Sequence, residues 1–209
     1  MSDRNSQDQL VALFSKQTEE HLRARFEDER AEVLHRLYDR QFKIHYNNYE
    51  HLMPDDLSKR HGINSIHVMA MDDILMEERA SFSQLKEAVI EIDKSMLEDY
   101  FVEELQMIEG MKDSWKGFVS WVMSGNKSNY MNDYFKLEEL ESTGSCVGFN
   151  LHRCLYFDIL HEAGRSELTP ILCEYDGMLG GMVAEWIDFR RKRTIAKGDS
   201  ECTFRYHKK

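Results

Sequence analysis

Apolar residues recur at mixed three- and four-residue steps through the first fifty positions, on Leu10, Leu13, Phe14, His21, Phe26, Val33, Leu34, Leu37 and Tyr38. That spacing predicts one long or two shorter amphipathic helices over 7–50. Met53-Pro54-Asp55 interrupts the pattern, because proline pushes its predecessor out of helical geometry. Helical spacing resumes over 64–80 and 82–108, where Leu85, Ala88, Val89, Ile92, Met96 and Leu97 make one stripe. Gly110 punctuates it, and 111–123 reads as an aromatic-rich helix carrying Trp115, Phe118 and Trp121.

After Gly125-Asn126 the period shortens. Residues 134–140 and 145–152 alternate apolar and polar around Ser142-Thr143-Gly144, as the arms of a hairpin do. Residues 151–163 return to helix with Gly164 as a stop, and 167–179 form a second helix with Pro170 in its first turn. Residues 185–195 and 201–206 then read as two strands about a Lys-Gly-Asp-Ser turn. The expectation is an α+β fold: a helical N-terminal part, followed by an antiparallel sheet with two helices in the C-terminal part. The division is placed at 1–125 and 126–209, the two regions joining in one compact unit.

Composition narrows the function classes. A hydrophobic fraction of 42% in 209 residues supports a core, which excludes wholesale disorder. A net charge of −11 argues against nucleic acid, which calls for a basic face. No apolar run is long enough to span a bilayer, and the first ten residues, MSDRNSQDQL, are polar. No membrane partner is expected. With four cysteines lacking close, even spacing, the expectation is free thiols in the cytoplasm.

The chemistry concentrates in the last third. Cys154, Cys173 and Cys202 each stand beside charged or aromatic residues, and a thiolate, favoured by nearby positive charge, is the reactive form. Cys154 follows His152 and Arg153. A helix beginning near Arg153 places it in the first turn, where the dipole favours the thiolate. Cys173 precedes Glu174 and Asp176, whose charge raises a thiol pKa instead. Cys173 and Asp176, three residues apart, share one helix face. With Cys202 or a histidine they supply donors for a zinc-type site with an open position. The motifs HExxH, paired CxxC and His-x-His are all missing, so no metal or other cofactor is assigned. Arg190, Arg191 and Arg193 with Lys192 and Lys197 form a basic cluster in an acidic chain. An inward-facing guanidinium there needs a carboxylate, whereas the plainer reading is an edge strand guarded by charge. The plainer reading of the cysteines and methionines is core filling.

Four ordered blocks, RCLYFDIL, CEYD, RKRTIAKG and GDSECTFRY, resemble the L-2-amino-thiazoline-4-carboxylic acid hydrolase family over about 150–206. Thr203 stands where that family prefers an aspartate. The resemblance implies a hydrolase that opens a small cyclic amidine, water attacking the C=N carbon and a C–N bond breaking. Carried over residue by residue, it implies catalytic roles for Cys173, Asp176 and Cys154, and substrate contacts from Arg153, Arg193, Thr194 and Cys202. The partner is then a small-molecule substrate, with the N-terminal helices serving as a lid or a homodimer surface. The same segment is also similar to 4-vinyl-reductase-type small-molecule-binding domains, which implies sensing without catalysis.

Overall fold

A computed structural model of the chain describes residues 3–140 and 142–209, and the side chains of all of these except residues 3–6 and Asp99. The hairpin turn expected around Ser142-Thr143-Gly144 borders Glu141, which lies outside the described residues. Seven α-helices and a four-stranded antiparallel sheet make up the described chain, an α+β fold. The chain forms two compact units. One comprises residues 1–98 and 158–172, the other 99–157 and 173–209.

In the first unit, α1 (Asp3–Arg25) and α2 (Asp28–Tyr49) resolve the 7–50 pattern into two helices. The third helix, α3 (Asp56–Glu77), packs against both. It is buried almost all round between His61 and Met71, as its HGINSIHVMAM sequence, free of charge on every face, requires. Its start is set by Asp55, whose carboxylate accepts the Ser58 N–H at 2.8 Å while the Asp55 N–H donates to Ser58 Oγ at 3.1 Å. Replacing Asp55 by alanine removes a reciprocal cap and is expected to cost about 1 kcal/mol, measured by urea unfolding. A polar set lies inside the unit. The buried His67 ring stacks on Phe14 at 4.5 Å and shares a 2.8 Å hydrogen bond with the Tyr38 hydroxyl. Burial first, and His21 second, push His67 down to about 3, so it is a neutral core histidine. Arg165 donates to Asp73 at 2.6 Å and to Asp72 and the Met69 carbonyl at 3.3 Å each. This ties the segment after α6 (Leu155–Glu162) to α3.

The long helix α4 (Phe82–Glu109) runs through both units. In the second unit, α5 (Ser114–Asn129) is capped by Asp113, which accepts the Lys116 N–H at 3.0 Å. The helix extends past Gly125-Asn126, where the sequence pattern placed the change of character. Strands β1 (Leu137–Glu139), β2 (Cys146–Leu151), β3 (Ile187–Arg190) and β4 (Cys202–Lys208) pair in the order β1-β2-β4-β3. The register sets Val147 opposite Tyr206, Phe149 opposite Phe204 and Leu151 opposite Cys202, so these six form one buried apolar face. Phe118 of α5 meets that face at Tyr206, with ring centroids 5.3 Å apart. The last helix, α7 (Thr169–Met182), meets it at Phe189. A Cβ on Gly180 would lie 2.5 Å from the Phe189 ring, so only glycine lets α7 come this close. The expected strand over 185–195 stops at Arg190; 191–201 forms a longer connection with a 3-10 turn at Ile195–Lys197. Gly198 ends that turn at φ 90°, a conformation suited to glycine.

Candidate functional site

The three C-terminal cysteines converge within the second unit, brought there by three different local causes. Cys173 and Asp176 stand seven and four residues before Gly180 on α7, so all three share the helix stripe that faces the sheet. Cys202 opens β4 on the buried face of the sheet. Cys154 precedes the first residue of α6. Each thiol is close enough to the other two for their charges to interact.

The arginine that enters this cluster is Arg191. One of its terminal nitrogens pairs with Asp176 Oδ2, and the other donates to the Cys173 carbonyl at 2.9 Å. Its guanidinium carbon stands 5.8 Å from the centre of the Phe204 ring, within cation–π range. Arg153 and Arg193, the two arginines expected at the site, are engaged elsewhere. Arg153 donates to the Asp133 carbonyl at 3.0 Å, and Arg193 pairs with Glu201 at 2.5 Å with half of its side chain exposed. Because the expected strand ends at Arg190, the two-residue alternation of a strand does not govern Arg191 and Arg193.

Thr194 is buried. Its N–H donates to Asp199 Oδ2 at 2.8 Å, and its hydroxyl has no hydrogen-bond partner among the described residues. The next residue, Ile195, donates its N–H to Cys202 Sγ at 3.3 Å. Tyr156 and Tyr206 complete the surroundings, both held protonated far above their usual range by burial.

Electrostatics separates the acid from the thiols. Burial pushes Asp176 up to about 6, against the opposing charge of Arg191. Burial likewise raises Cys173 to about 12, with Arg191 pulling it back and Asp176 adding to the rise. Cys202 is raised by burial despite the Ile195 N–H. Cys154 corrects a sequence expectation. The helix starts at Leu155, one residue later than a first-turn position needs. Burial raises the Cys154 thiol even though the Phe157 and Tyr156 N–H groups of that helix end stabilise its anion. Helix-end assistance is present, and desolvation outweighs it. At neutral pH the cluster thus holds three protonated thiols, one guanidinium and one carboxyl that titrates near pH 6. That set can exchange a proton and orient an anion.

No helix among the described residues is long and apolar enough to cross a membrane. The family model described as L-2-amino-thiazoline-4-carboxylic acid hydrolase matches residues 64–206. That is about two-thirds of the chain, reaching well before the 150–206 segment whose motifs carry the resemblance. No curated protein and no solved structure matches the chain with significance.

Proposed function

Because the chain belongs to the L-2-amino-thiazoline-4-carboxylic acid hydrolase family, we propose that it hydrolyses the amidine carbon of a small, carboxylate-bearing heterocycle. The observation that carries this reading is the Asp176–Arg191 pair set among Cys154, Cys173 and Cys202. Asp176 is the acid–base group. Its carboxylate takes one proton from water as the oxygen bonds to the C=N carbon and passes it to the ring nitrogen; it then carries the remaining hydroxyl proton to the same nitrogen as the C=O forms and the C–N bond breaks. Arg191 spends two N–H groups on Asp176 and the Cys173 carbonyl. Its other N–H groups, with no further hydrogen bond among the described residues, hold a substrate carboxylate. The thiols, protonated at neutral pH, serve as the wall of the site. The Thr194 hydroxyl, buried without a partner among the described residues, is offered to the ligand, since leaving it unbonded is costly.

Mass spectrometry of purified protein with cyclic amidine carboxylates tests this, the product being substrate plus one water. Arg191→Lys keeps the charge and loses the planar fork. It is expected to lower kcat/KM roughly 10- to 100-fold, the loss of one charge-assisted hydrogen bond of ~1.5–3 kcal/mol. Binding of such a ligand without turnover would instead support the sensing reading.

A further inference from the structure

At one end of the sheet a second constellation lies apart from the Asp176–Arg191 pair. Leu151 pairs with Cys202 at the end of the β2–β4 ladder, and His152 and Glu201 flank that last pair, His152 Nδ1 lying 3.5 Å from Glu201 Oε2. Glu138 of β1 pairs with Asn150. A strand and the ends of two others thus bring a carboxylate, an imidazole and a carboxylate together. One donor atom from each of Glu138, His152 and Glu201 can be chosen so that all three lie within 4.8 Å of one another.

The histidine is flanked on both nitrogens. Nε2 is 2.9 Å from Glu138 Oε2, and Nδ1 is 3.5 Å from Glu201 Oε2. An ion of the zinc class takes one ring nitrogen and one oxygen from each carboxylate, at about 2.0–2.2 Å, drawn in from donor atoms that already lie within 4.8 Å of one another. The neighbours orient the donors as an outer shell does. Arg193 holds Glu201 Oε1 at 2.5 Å, leaving Oε2 toward the ring. Asn150 Nδ2 donates to Glu138 Oε2 at 3.3 Å and is itself fixed by Arg205 at 2.9 Å.

We propose that Glu138, His152 and Glu201 form a binding site for a divalent first-row transition ion such as zinc. Imidazole with two carboxylates suits that class better than magnesium or calcium, which take oxygen donors. Three protein ligands leave a position open to water or to an anionic ligand.

Cobalt(II) is the probe, added to chelator-treated full-length protein at pH 7.5. One equivalent is expected to bind, with a visible d–d band and no thiolate charge-transfer band in the near ultraviolet. His152→Ala and Glu201→Gln are each expected to weaken binding at least 10-fold. Cys173→Ser should leave it unchanged. Circular dichroism of each variant confirms folding. The affinity is expected to fall as pH drops, protons competing for the ring. Stoichiometric binding that carries a thiolate band, binding that survives His152→Ala, or no binding at all would each overturn the proposal. None of these outcomes bears on the hydrolase reading, which uses other residues and is read by turnover.

Discussion

Asp176→Asn is expected to lower turnover of a cyclic amidine by roughly 100- to 10,000-fold, the usual loss when a general acid–base group is removed. The substitution preserves shape, and the new amide oxygen can still accept from Arg191, so the fold is retained while proton exchange is lost. The pH dependence gives a second readout. Burial holds the Asp176 carboxyl up to about 6, above the ordinary value of about 3.9. The base is the ionised form, so wild-type kcat/KM falls as pH drops through about 6 and levels off above it. In Asp176→Asn this acidic limb disappears from the residual rate. Stopped-flow or mass-spectrometric rates between pH 4.5 and 8 measure both effects. A variant that turns over at the wild-type rate, or that keeps the limb at pH 6, removes Asp176 from the chemistry. Parallel Cys154→Ser and Cys173→Ser variants separate acid–base from thiol chemistry. Since burial keeps both thiols protonated at neutral pH, each is expected to retain turnover within about 10-fold, against the 100-fold or greater loss set for an acid–base group.

Most of the fold was legible from periodicity, because most of the helices bury one stripe and the strands alternate. The break at Pro54, the helix carrying Pro170 in its first turn and the glycine stop at Gly164 fall where the pattern put them. The cluster was legible in part. Cys173 and Asp176 could be joined by helical spacing alone. Bringing Cys154 and Cys202 to them depended on the sheet register and on the Gly180–Phe189 contact, and neither is written in any local pattern. Arg191 was missed as a site residue although the basic cluster containing it was visible. A rule of alternation applies only while the strand lasts, and the strand ends one residue before Arg191. A signal was present in the isolated Asp176: a carboxylate on the sheet-facing stripe of a helix requires a cation, and one of the nearby arginines had to supply it. The thiol pKa values were unreadable for a similar reason. Sequence shows neighbouring charges, whereas desolvation, which dominates here, depends on packing.

The same packing makes Phe118 the residue whose truncation should cost the most stability. Its side chain is fully buried, and its ring meets Trp186 at 5.6 Å, Tyr206 at 5.3 Å, Trp121 at 5.9 Å and Trp115 at 6.2 Å. It is the hub through which α5 holds the apolar face of the sheet. Phe118→Ala removes the ring and leaves a cavity among aromatic groups too rigid to close it, at a cost of about 3–5 kcal/mol. At roughly 2–4 °C per kcal/mol for a chain of this size, the melting temperature is expected to drop by about 6–20 °C. Tryptophan fluorescence and near-ultraviolet circular dichroism report on the same unit, because three of the four partner rings are tryptophans. Met107→Ala is the control. Its side chain is 61% exposed, and such surface changes stay within about 0.5 kcal/mol. If Phe118→Ala and Met107→Ala melt together, the aromatic hub does not hold the second unit. If Phe118→Ala alone loses stability while turnover at low temperature persists, packing and chemistry are separable in the unit that carries both.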